Sequence, residues 1–167
     1  MGVAKSISKF LILVLIIFLV VFSVVNILPF ILKTQHPIEM IQGISMENTY
    51  FDGDLVVLGG VPTQDIQVGD VVGYQRSSGS LIIHRVIAII TINDDVLFTT
   101  KGDNPVSNPF PDSQVTSLSI VGIILFHIPA WLGRVIYPVV ITLQNPLSLV
   151  LAVALIAIIV LLSKFVL

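Results

Sequence analysis

Ser45 lies in the stretch I-Q-G-I-S-M-E-N-T-Y-F-D-G-D-L-V-V-L, residues 41–58. It is not set in a G-x-S-x-G elbow, so the common lipase and esterase arrangement does not apply. A serine becomes a nucleophile only when a base lies within hydrogen-bond reach, and that base often needs an acid to orient it. Three histidines could supply the base: His36, His84 and His127. His84 sits inside the run L-I-I-H-R-V-I-A-I-I-T-I, residues 81–92. Side chains alternate across a strand, so Ile82, His84, Val86 and Ile90 are expected on one face and Leu81, Ile83, Arg85, Ile87 and Ile89 on the other. A strand is a rigid mount for a base, and an imidazole with an ordinary pKa near 6.5 accepts a proton at neutral pH. The plainer readings stand beside these. A loop serine is ordinarily solvated, and a histidine on an apolar strand face is ordinarily a satisfied core residue. His36 and His127 read as interfacial residues. Asp52, Asp54, Asp70 and Asp103 read by default as turn residues accepting backbone N–H bonds.

The elements that must position such a site are shaped by composition. The 167-residue chain is 55% hydrophobic and only 11% charged, and its mean hydropathy is +1.03. An ordinary soluble domain carries roughly 25% charge. A water-soluble fold of this size cannot hide so much apolar surface, so membrane residence is expected. Net charge is −2, which gives no basic face for nucleic acid. With no cysteine, disulfides, thiolate zinc sites and cysteine nucleophiles are excluded. No metal-ligand cluster or phosphate-cradling glycine loop occurs either, so no cofactor is expected.

Two segments are expected to span. Residues 10–32 are 23 residues without a charge, with Pro29 near the end. A helix of that length reaches about 35 Å, against a hydrocarbon core of about 30 Å. Residues 146–163 are 18 uncharged residues, close to the lower limit. Residues 135–145 read as an interfacial segment or the approach to that second span. The first run is longer than a secretory h-region, and no A-x-A site follows, so an uncleaved signal-anchor is expected. Lys5 and Lys9 precede it, which places residues 1–9 in the cytosol by the positive-inside rule. Residues 33–134 then face outside, and residues 164–167 return to the cytosol.

Between the spans, short β-rich runs alternate with turn signals. Strands are expected at Asp54–Leu58, Asp70–Gln75, Leu81–Ile92, Val96–Thr100 and Leu118–Ile128. Residues 101–116, K-G-D-N-P-V-S-N-P-F-P-D-S-Q-V-T, contain three prolines and read as loop. The expected architecture is one mostly-β domain carried on N-terminal and C-terminal transmembrane helices.

Four short stretches occur together in that domain: G-I-S-M-E-N-T-Y-F-D-G-D-L-V-V-L at 43–58, G-D-V-V-G-Y-Q at 69–75, I-I-H-R-V-I at 82–87 and F-T-T-K-G-D-N-P at 98–105. In this order, behind an N-terminal span, they resemble the type I signal peptidases of the archaeal and endoplasmic-reticulum branch. The resemblance implies a signal-peptidase-like β fold and serine proteolysis, with Ser45 as nucleophile. His84 stands where the bacterial branch has a lysine. Asp103 matches a functionally important acid of the family. It also implies signal-peptide-bearing precursors as substrate, with small residues one and three positions before the cut, and the bilayer and the export translocon as surroundings. Shallow pockets lined by residues such as Ile44, Met46 and Ile82 would select those small residues.

Two positions depart from the family pattern. Asn48 stands where the family usually has proline, so a looser turn is expected after the serine. The family also has a second acid a few residues beyond K-G-D. Here the nearest match is Asn108, and Asp112 follows in F-P-D-S. Asp103, Asn108 and Asp112 are therefore all open as the residue that orients His84. Lys101 is a rival base, but it would need burial to lower its pKa and it lies in a polar turn. Asn48 and Asn108 also motivate a second reading, a catalytically degenerate β-domain serving as an assembly subunit. A third is a membrane serine protease acting on other exported proteins.

Overall fold

The computed structural model describes residues 2–93 and 95–145, and beyond them 147, 148, 150, 151, 154–156 and 158. Two compact units are present: Pro29–Tyr137, and the combination of Met1–Leu28 with Pro138–Leu167.

The chain opens with helix α1, Gly2–Ile31. Its stretch Ile12–Ile31, 20 residues with a mean hydropathy of 3.0, is long and apolar enough to cross a membrane. Pro29 falls in the last turn, where it leaves the carbonyl four residues earlier without its helical donor and the helix ends two residues later, at Ile31. Asn26 keeps its amide satisfied in this apolar setting. Its Nδ2 donates to Phe22 O at 2.8 Å and to Leu143 O at 3.3 Å. The expected second span, residues 146–163, lies largely outside the described residues, as do residues 164–167.

The unit Pro29–Tyr137 is built on seven strands: β1 Ile38–Met40, β2 Leu55–Gly59, β3 Val71–Gln75, β4 Leu81–Ile92, β5 Asp95–Lys101, β6 Asp112–Thr116 and β7 Ile120–Ile128. All pairings are antiparallel, in the order β1-β2-β7-β3-β4-β5-β6. Helix α2, Ala130–Gln144, follows β7. The core gathers Ile66, Val72, Tyr74, Val86, Phe98 and Val115, with Ile82, Ile89 and Ile123 packed against it. Phe98 is fully buried, and that burial stabilises the sheet by about 1.5–3 kcal/mol.

Several elements differ from expectation. The three-proline stretch 101–116 is not all loop, because its last five residues form the edge strand β6. β1 is too short to give a period-2 pattern. The segment at residues 135–145, read as interfacial or as the approach to a second span, is helical as far as Gln144 within α2, which starts at Ala130. Asp54 fixes that start: its buried carboxylate accepts the Ala130 N–H at 2.8 Å and the Phe51 N–H at 2.9 Å. Asp52 and Asp70 accept the backbone N–H groups of Gly43 and Gln67. The expected face pattern of β4 breaks at Ile87. Val86 pairs with Thr100 but Ala88 with Thr99, so Ile87 is one extra residue. The bulge puts Ile89 against the core and turns Ile90 outward.

Candidate active site

Ser45 stands in an irregular turn between β1 and β2. The turn is pinned from within by Met46, which is buried and whose carbonyl accepts the Thr49 and Tyr50 N–H groups at 3.1 and 2.9 Å. From outside it is strapped by the loop after β5. Asn104 N–H donates to Ser45 O at 2.9 Å, Asn104 Nδ2 to Ile44 O at 3.0 Å, and Ser107 Oγ to Ile44 O at 3.2 Å. The strap lies so close that a Cβ on Gly102 would overlap the Ser45 carbonyl oxygen. Only glycine allows that approach. Asn48 has φ +91°, a left-handed conformation that proline, locked near −65°, cannot adopt. The expected loosening after the serine is thus instead a defined left-handed residue, with Asn48 Nδ2 reaching Asp103 O at 3.5 Å.

His84 is mounted on β4 opposite Val72 of β3 and is 5% exposed. Its Nε2 lies 3.2 Å from Ser45 Oγ and its Nδ1 lies 2.6 Å from Asp112 Oδ2. An ionised carboxylate only accepts, so Nδ1 carries the proton and Nε2 is left to accept from the serine hydroxyl. Burial pushes the His84 pKa below its ordinary value of 6.5, and the hydrogen bond that His84 donates to Asp112 only partly offsets that. The imidazole is therefore neutral at pH 7, the form a base requires.

The three acid-side alternatives separate in space. Asp112 reaches His84, because β6 begins there, across Thr100 from Val86. Tyr74 Oη also donates to Asp112 Oδ2 at 2.9 Å, and Arg76 Nη2 to Oδ1 at 2.6 Å. Asp103 faces another partner. Arg85 grips it with two nitrogens at 2.9 and 2.6 Å, and Thr49 Oγ1 donates to the same carboxylate. Burial would raise the Asp103 pKa, but the Arg85 and Thr49 hydrogen bonds outweigh it and the net shift is downward. Asn108 donates its backbone N–H to Asn104 O, and its buried Nδ2 has no partner among the described residues. Lys101 closes β5 opposite Arg85 and makes no hydrogen bond to Ser45 among the described residues. His36 bonds Glu39, and His127 packs edge-on against Tyr50.

Beside the serine is a cavity of about 320 Å³, lined by Glu39–Gln42, Ser45, Met46 and Ser80–His84. Met46 and Ile82 line it as expected, whereas Ile44 does not and is half exposed. Tyr74, Arg76, Arg85 and Thr49 were not singled out by sequence. The usable signal for Tyr74 was its spacing of two from Val72, the partner of His84, on one strand; Arg76 lies one residue beyond that strand.

A serine hydroxyl, a neutral buried imidazole and a carboxylate in one hydrogen-bonded line define the class of arrangement used by serine hydrolases. In the comparison with known proteins, no family model matches this chain. An 84-residue segment is 30% identical to "Signal peptidase I W" of Bacillus subtilis (strain 168). The match covers 46% of this chain and 44% of that protein, so the chain spans less than half of the relative's length in the match.

Proposed function

We propose that this protein is a membrane-anchored serine endopeptidase that removes N-terminal signal peptides from exported precursors. Ser45 is the nucleophile, His84 the general base and Asp112 the acid that orients it. The observation that carries the reading is the continuous line Ser45 Oγ–His84 Nε2 and His84 Nδ1–Asp112 Oδ2 at 3.2 and 2.6 Å. The partial likeness to a signal peptidase and the apolar α1 support the substrate class and the membrane setting.

In this reading His84 Nε2 takes the Ser45 proton as Oγ attacks the scissile carbonyl. The oxyanion is met by the Ser45 backbone N–H, a donor of a kind worth about 3–4 kcal/mol. His84 then protonates the leaving amine, which departs as the N-terminus of the mature protein. Water, deprotonated by His84, releases the signal-peptide acyl group from Ser45. The precursor's extended segment before the cut occupies the cavity between Glu39–Gln42 and Ser80–His84, where Met46 and Ile82 limit side-chain size. Residues 1–9 face the cytosol and the sheet faces outside, where precursors arrive from the export translocon. Only 12 residues separate Leu32 from Ser45, so the serine works near the headgroups.

Purified protein and a preprotein in detergent test this. Cleavage at the end of the h-region, lost in both Ser45→Ala and His84→Ala, is expected. Unimpaired cleavage by Ser45→Ala would refute the mechanism. Cuts scattered away from the h-region would favour a protease of other exported proteins, and no cleavage at all would favour the degenerate assembly subunit.

A further inference from the structure

We propose that Arg76 and Tyr74 are positioning residues that hold the Asp112 carboxylate against His84, resting on the Ser45–His84–Asp112 reading above. The need for such a clamp comes from where Asp112 is mounted. It begins β6, an edge strand with a partner on one side only. The ladder beside it is irregular. Thr100 pairs with Asp112 but Phe98 with Val115, so β6 carries one extra residue, and Gln114 sits at φ +61°. Backbone pairing alone therefore defines the acid poorly.

Side chains from the end of β3 and from the residue just after it supply what the ladder lacks. Tyr74 is 3% exposed, so its hydroxyl is fixed by the packing of its ring. It donates to Asp112 Oδ2, the oxygen that accepts from His84, while Arg76 Nη2 holds Oδ1. The carboxylate can then neither rotate away nor exchange oxygens without breaking two bonds. Arg76 is about half exposed, so its ion pair adds little to global stability. Its consequence is local. The charged and titratable groups around His84 are Asp112, Arg76 and Tyr74 on one side and Asp103, held by Arg85, on the other. Burial is the main reason that the imidazole stays free to act as a base, and the Arg76 charge adds to it in the same direction.

The test compares Arg76→Gln, Arg76→Lys and Tyr74→Phe in the full-length protein in detergent. Arg76→Gln is expected to lower kcat about tenfold with KM unchanged, the low end for outer-shell partners that orient a functional histidine. With the clamp lost, the Asp112 hydrogen bond that raises the His84 pKa is weakened, so the acid limb of its kcat/KM profile is expected to move to lower pH, and Arg76→Lys to restore that limb. Tyr74→Phe keeps the buried ring and is expected to lower kcat while the protein still melts cooperatively, several degrees lower for the lost hydrogen bond. In parallel, the ¹⁵N-imidazole titration of His84 should move to lower pH in Arg76→Gln but not in Arg76→Lys. A wild-type kcat and an unmoved titration in Arg76→Gln would overturn the clamp, as would a shift to higher pH, which loss of the Arg76 charge alone would give, or equal shifts in Arg76→Gln and Arg76→Lys. If the wild-type protein cleaves no precursor, the peptidase reading fails while the titration still decides the clamp.

Discussion

Replacing Asp112 with asparagine isolates the role of the acid. Asparagine is nearly isosteric, and its Oδ1 can still accept from Arg76. Its amide, however, presents N–H where Asp112 Oδ2 now accepts the His84 Nδ1–H at 2.6 Å. Two donors cannot face each other at that distance, so the imidazole is driven to the other tautomer, with its proton on Nε2. That nitrogen lies 3.2 Å from Ser45 Oγ and can then no longer accept the serine proton. The expected loss in kcat is about 10³–10⁴-fold, or roughly 4–5.5 kcal/mol, the scale seen when a triad carboxylate becomes an amide. KM should change little, because Asp112 does not line the cavity beside Ser45. Asp103→Asn is the contrast. It weakens the Arg85 grip and hence the loop strapped to Ser45, with an expected stability loss of about 1–2 kcal/mol and a smaller fall in kcat. Single-turnover cleavage of a precursor, with melting curves for each variant, separates the two. A folded Asp103→Asn that loses more kcat than Asp112→Asn would refute the assignment.

Other perturbations follow from the same geometry. Gly102→Ala forces a Cβ into the Ser45 carbonyl, and neither backbone segment can retreat cheaply; a stability loss of about 1–3 kcal/mol with a fall in kcat is expected in denaturant titration and cleavage assays. Asn48→Pro, which imposes the residue usual in the resembled family, should destabilise by about 3 kcal/mol, while Asn48→Gly should fold as well as the wild type or slightly better. Because burial depresses the His84 pKa, the acid limb of kcat/KM should lie below pH 6.5. The sign for stability follows: the unfolded imidazole binds its proton first, so the His84 contribution is constant above about pH 6.5 and is lost as pH falls below it, which pH-dependent melting will show.

The serine and histidine were legible because each stood in a distinctive local stretch, and the strand around His84 has a clear apolar pattern. The acid was not. Asp103 stood in the more recognisable stretch, but Arg85, next to His84 and projecting from the opposite face of β4, draws it away. Asp112 could not be placed beside His84 because β6 is short, follows three prolines and is bulged, so no alternation marks it as a strand. Likewise a bulge at Ile87 shifted half of β4 by one position, which no periodicity could anticipate. The start of α2 depends on Asp54, 76 residues earlier, and a tertiary cap of that kind leaves no local trace.

The most direct measurement is the mass of Ser45 itself during turnover. Wild-type protein mixed with a precursor, quenched in acid within one turnover and digested, should yield the Ser45 peptide carrying the acyl group of the released signal peptide. Cleavage of the precursor with Ser45 unmodified, or with the acyl group on another residue, would contradict the account.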